Sequence, residues 1–161
     1  MLEALQKVKV GLAMVFLALL FGIGMGVSFG VNEDAYKDYI ASEIQAHPEV
    51  HDEKSQSKIW RYAQRAHFHS TGIAAFSLGL IILVMVSGMK SRLKTVSSFL
   101  VGLGGLYPLS WFTMFMLAPS MGRGPAHDHL LTELFTYIGV GGLLLGILIL
   151  IGNLFFGLFQ E

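Results

Sequence analysis

The chain has 161 residues and a formal net charge of zero, with eleven acids balanced by eleven Lys and Arg, so nothing in its charge argues for a nucleic-acid partner. Hydrophobic residues make up 53% and charged ones only 14%, against roughly 25% charged in soluble domains. It has no cysteine, which excludes c-type haem attachment, thiolate metal sites, iron–sulfur clusters and disulfides in one step.

The missing charge is concentrated. Residues 10–29, 72–89, 96–116 and 134–159 are almost free of it, and each approaches the roughly 20 apolar residues a helix needs to cross a bilayer. The expected fold is an all-α membrane protein, a single four-transmembrane-helix bundle over residues 1–161. Its helices are placed at about 10–30, 58–89, 95–118 and 128–159, with an outer loop over 31–57. The first apolar run follows Lys7 and Lys9, like a secretory leader, but it is too long for one and lacks a small-x-small cleavage pattern, so it reads as a retained helix.

Within helix one, Gly22, Gly26 and Gly30 recur every four residues. Helix three carries Gly102 and Gly105, and helix four Gly139, Gly142 and Gly146. Such stripes let backbones approach closely in lipid, and close packing is their ordinary use; they can also admit a flat cofactor. In the outer segment, Asn32 is a helix cap with Glu33 and Asp34 suited to the positive helix end. Tyr36, Tyr39, Ile40 and Ile44 then recur at helical spacing, which predicts a short amphipathic helix on the outer-face interface ending near Pro48. Tyr107-Pro108 predicts a bend in helix three, with Ser110 or Thr113 bonding nearby carbonyls.

Basic residues prefer the cytoplasmic side. Lys7, Lys9, Lys90, Arg92 and Lys94 lie at one end, and residues 31–65 hold more acids than bases. The expected location is therefore the cell inner (cytoplasmic) membrane, multi-pass, with both termini cytoplasmic.

Six histidines occur. His47 and His51 read as ordinary loop residues. The other four form two copies of one motif, Ala66-His67-Phe68-His69 and Ala126-His127-Asp128-His129, each at the N-terminal end of a membrane helix. Gly79 with Gly139, and Leu83 with Leu143, match at the same offset, which suggests a 2+2 parallel repeat about an axis along the membrane normal. Symmetry would then bring the two motifs to equal depth, facing across the bundle.

Ionisable residues at membrane depth usually face the bundle interior or a wet cavity, and imidazole ligates haem iron and most biological metals. In a helix, residues two apart point about 200° from each other, so either each helix presents one inward histidine while the other contacts the loop or another site, or the motif lies in an irregular helix start. The motif resembles the His-x-His helix of haem–copper oxidases and nitric oxide reductases, where two such histidines serve two haems. The likeness covers four residues and implies only that this spacing suits haem ligation from opposite faces.

Glu133 falls one turn beyond His129 and is a candidate ligand, histidine-orienting partner or proton acceptor, with Thr136 and Tyr137 continuing the polar stripe. Arg65 and Arg123, with Arg61, flank the motifs and suit haem propionates or an anionic substrate. Met114, Met116 and Met121 lie near the second motif and suit copper, though methionine in such helices is usually filler.

The first reading is a b-type cytochrome-like protein, with haem b held between helices two and four near the outer face by His67, His69, His127 and His129, for electron transfer or quinone chemistry. One alternative is copper or zinc bound or transported by those histidines with Glu133. The other is an accessory subunit packed in a larger membrane complex. The implied partners are the lipid bilayer, a quinone or redox protein, and a homo-oligomer or membrane complex. No nucleotide loop or nucleophile–base motif marks an enzyme.

Overall fold

The computed structural model describes residues 2–160, which are almost entirely helical, with no β-strand among the described residues. Four helical segments are long and apolar enough to cross a membrane. They are α1 (Leu2–Ala46), α2 (Ser55–Val86), a third span made of α3 (Ser91–Leu103) and α4 (Tyr107–Met121), and α6 (Leu130–Phe156). A short helix, α5 (Arg123–His127), joins the third span to α6.

The surface is that of a protein solvated by lipid. Leu17 is 68% exposed, Leu148 61% and Phe155 77%, whereas Ser70, Ser77, Ser97 and Asn153 are at most 1% exposed. In water so much apolar surface would drive association; in a bilayer it is the solvated face. Two of the buried hydroxyls join helices: the Ser70 Oγ donates to the Ala18 carbonyl at 2.6 Å, and Ser97 to Gly146 at 3.2 Å. Hydrogen bonds and close contact between small residues hold such bundles together.

Glycine sets the closest approaches. A Cβ on Gly11 would run into the backbone of Ser98, and one on Gly102 would lie 3.0 Å from Gly11 Cα, so α1 and α3 cross with their backbones in contact. Gly139, Gly142 and Gly146 seat α6 against Tyr107, Leu103 and Val101 in the same way. Every glycine of the expected stripes except Gly30, which has open space beside it, makes such a close contact.

The third span is the hub. It packs against α1, α2 and α6, whereas α2 and α6 meet at few points. A twofold axis relating the two hairpins would make the α1–α6 contact match the one between α2 and the third span. The latter is extensive and the former is slight, so the expected repeat symmetry does not appear in the packing.

Residues 2–46 are two helices joined across a kink at Asn32 (φ −154°, ψ 69°), whose Oδ1 accepts from the Ala35 N–H at 3.1 Å, so the first apolar helix does end near residue 30. Asn32 thus caps the second half, as its chemistry suggests, and the helix ends just before Pro48. Its apolar stripe is turned inward: Ile40 is fully buried with Ile59, Ala66 and Phe115, and Tyr36, Tyr39 and Ile44 pack on that cluster. In the third span, Pro108 stands in the first turn of α4 just after a 3-10 turn (Gly104–Leu106). The missing N–H thus falls where a helix start has no partner for it. Ser110 and Thr113 donate to the Tyr107 and Leu109 carbonyls at 2.7 and 2.8 Å.

Candidate functional site

The loop end of the bundle gathers the polar chemistry. Here the segment between α1 and α2 straps onto the α4–α5 corner. The His51 Nε2–H donates to the Pro119 carbonyl at 2.7 Å, and Arg123 pairs with Asp52 at 2.6 Å. Asp52 also accepts from the Ser55 hydroxyl and the Lys54 N–H, each at 3.0 Å. The Ser55 hydrogen bond, aided by Lys54 and Arg123, holds its carboxyl below the ordinary carboxylate value. His51 is therefore no ordinary loop residue, and its Nδ1 is buried without a partner. His47 behaves as expected of the loop, 3.9 Å from Glu49.

The four motif histidines do not gather. The His67 ring lies on Gly26, where a Cβ would sit 2.6 Å from its Cε1, and its Nδ1 is 2.7 Å from the Gly22 carbonyl. It faces α1. His69 lies on another face of α2, with its Nδ1 2.9 Å from the Arg65 carbonyl and its ring 5.3 Å from Tyr107 and 5.8 Å from Trp111, centroid to centroid. It faces α4. This divergence is the helical geometry expected of residues two apart.

The second motif sits in a different local structure, at the break between α5 and α6. Gly122, at φ +86°, makes the turn that starts α5, a conformation only glycine adopts without cost. His127 Nδ1 lies 2.7 Å from an Asp128 oxygen, and the His129 Nδ1 accepts from the Leu131 N–H at 3.3 Å, capping α6. Among the described residues no three His, Asp or Glu side chains stand together as a metal would need. The set His67, His69, His127, His129 and Glu133 is thus dispersed rather than shared around one ion.

Hydrogen bonding fixes the tautomers. Carbonyls and carboxylates only accept, so His67, His69 and His127 must each carry hydrogen on Nδ1, which in the neutral ring leaves Nε2 as a bare base or ligand atom. His129 is the reverse, with Nδ1 accepting and Nε2–H exposed as a donor. None of the three bare Nε2 atoms has a hydrogen-bond partner among the described residues.

What the structure does bring together is a cleft of about 180 Å³ between α4, α5 and the start of α6. Tyr107, Ser110, Trp111 and Met114 line it from α4, His127 from α5, and Thr132, Glu133, Thr136 and Tyr137 from α6. Thr132, Thr136 and Ser110 spend their hydroxyl hydrogens on backbone carbonyls at 2.7–2.8 Å. The Trp111 N–H is buried and unpartnered, and buried donors are seldom left so. His69 reaches Tyr107 and Trp111 from the α2 side, and the Arg65 guanidinium lies 4.6 Å above the Trp111 ring.

Of the residues singled out from sequence, Glu133, His127, Thr136, Tyr137 and Met114 line this cleft, with His69 and Arg65 behind its aromatic wall. His67 and His129 are elsewhere, Arg123 is engaged by Asp52, Met121 packs in the core and Met116 lines a separate apolar groove. Trp111 was not anticipated. Its spacing of four from Tyr107, which puts both rings on one helix face, was the available signal.

The chain gives no match when compared with protein-family models, with curated proteins or with solved structures.

Proposed function

We propose that this protein is a membrane subunit whose α4–α5–α6 cleft binds the headgroup of a quinone. The observation that carries this reading is a single cleft that sets Glu133 and His127 beside Tyr107, Trp111 and Tyr137. A quinone is a flat ring with two carbonyl acceptors and two protonation sites. The Tyr107 and Tyr137 hydroxyls supply donors; Glu133 and the His127 Nε2, backed by Asp128, supply bases. The cleft is smaller than the roughly 300–1,000 Å³ of drug-sized sites, which suits one ring whose tail stays in lipid.

The test uses tryptophan fluorescence. Trp60 and Trp111 are the only tryptophans, so Trp60→Phe isolates the reporter beside the cleft. A short-tailed ubiquinone analogue should quench it saturably in lipid nanodiscs. Tyr107→Phe should weaken binding about two- to ten-fold, the worth of one neutral hydrogen bond, and Glu133→Ala more. Quenching that never saturates, or that ignores both substitutions, rejects the reading.

A second reading, haem b, is favoured by the tautomers. An imidazole with Nδ1–H held by a carbonyl or carboxylate and Nε2 bare is poised as an axial ligand. Two such rings, His69 and His127, flank the Tyr107–Trp111 pair. Haem would then need α2 and α6 to part further around α4, with Arg65 placed for a propionate. Protein expressed with haem precursor should show a sharp reduced alpha band lost in both His69→Ala and His127→Ala; a colourless preparation ends it.

A further inference from the structure

We infer that the same end of the bundle carries a separate site for the phosphate of an anionic phospholipid. A second cleft, of about 250 Å³, is lined by Lys58, Arg61, Tyr62 and Arg65 of α2 and by Arg123 of α5. Lys58, Arg61 and Arg65 are spaced three and four apart, so one face of α2 presents all three cations. Like charges so placed repel unless an anion joins them.

Their pairing is what makes this a site. Arg123 has Asp52 at 2.6 Å, but Lys58, Arg61 and Arg65 have no carboxylate within ion-pair distance among the described residues. Nor do their side chains make any hydrogen bond there, and Arg65 is held by stacking on Trp111. Stacking occupies the face of a guanidinium and leaves its N–H edge for an oxyanion.

Depth selects the source of that anion. Tyr62 and Trp111 pack beside the cleft, with ring centroids 5.8 Å apart, and Phe68, less than two turns farther along α2, is 63% exposed on the lipid-facing surface. Aromatic rings of this kind mark the headgroup level. Basic pockets between membrane helices at that level bind lipid headgroups. The two clefts share no lining residue, although Arg65 stacks on the Trp111 that lines the other, so the phosphate site does not depend on the quinone reading.

The experiment compares nanodiscs of phosphatidylcholine alone with nanodiscs containing phosphatidylglycerol, reading thermal unfolding and lipid retained in native mass spectrometry. Wild-type protein should unfold at higher temperature with phosphatidylglycerol and retain it through detergent exchange. Lys58→Gln with Arg61→Gln, both at exposed positions, should weaken retention about ten- to thirty-fold, as expected for two juxtamembrane cations. Lys90→Gln at the opposite end should leave it unchanged. Equal behaviour in the two lipids, or a double variant that retains phosphatidylglycerol as wild type does, overturns the proposal. So does an equal shift from inorganic phosphate alone, which would make the ligand a free anion. Detergent-purified double variant that already unfolds at the wild-type temperature in phosphatidylcholine excludes simple misfolding.

Discussion

Single side chains at the loop end do their work through hydrogen bonds whose direction is forced. Asp52 is the clearest case, because its carboxylate accepts at once from the Ser55 hydroxyl and the Lys54 N–H and pairs with Arg123. Its carboxyl is held below the usual 3.8, and a depressed carboxylate pKa stabilises the fold above its unfolded value. That contribution disappears as pH falls through the lower folded value. Wild-type protein should therefore lose thermal stability below about pH 4, and Asp52→Asn, already missing the contribution, should show a smaller fall over that window. Identical acid profiles for the two proteins would mean the strap is not held by this carboxylate. The same logic of forced direction separates His129 from the other motif histidines, although the sequence makes the two copies look alike.

At the scale of elements, backbone contact dominates, and glycines in one chain have opposite expectations. Gly11 has no room for a Cβ against Ser98, whereas Gly24 has nothing within 4 Å of the same position. Gly11→Ala should force α1 from α3 and destabilise by about 1–3 kcal/mol, the usual cost of overpacking. Gly24→Ala should be neutral or gain up to about 1 kcal/mol from helix propensity. Unfolding in mild detergent reads both, and equal effects would contradict the crossing. The number of spans was legible because an apolar run of membrane length has few other uses, and Asn32 and Pro48 marked their boundaries by local chemistry. The partners of each helix were not legible. A glycine announces that something comes close, not which helix does, and Gly11 falls outside the four-residue stripe of Gly22, Gly26 and Gly30. For the site, the sequence pointed to the correct end of the bundle and to Glu133 and His127. What it did not show is that the two copies of the motif sit in unlike local structure: His67 and His69 lie well inside regular helix, while His127 and His129 lie at a break.

For the whole molecule, an even number of spans puts both chain ends at one end of the bundle. The C-terminal segment reaches back accordingly: Lys90 N–H donates to the Phe159 carbonyl at 3.0 Å, joining it to the connection between α2 and α3. The expectation that this end is cytoplasmic rests on position and not on raw number, since six Lys and Arg lie at the loop end and five at the other: Lys90, Arg92 and Lys94 crowd one short connection, where the positive-inside preference acts most strongly. At the loop end, Arg123 is neutralised by Asp52 and the cations of α2 line a lipid-level cleft. The chain's lack of cysteine makes the test direct, because any introduced thiol is the sole reactive one. With Lys54→Cys and Lys90→Cys, a membrane-impermeant maleimide added to intact cells should label the first at once and the second only after permeabilisation. The opposite pattern would invert the protein in the membrane and move the histidine cleft to the cytoplasmic leaflet. Equal labelling of both positions in intact cells would deny that the two loops lie on opposite sides, and with it the crossing of the bilayer by α2.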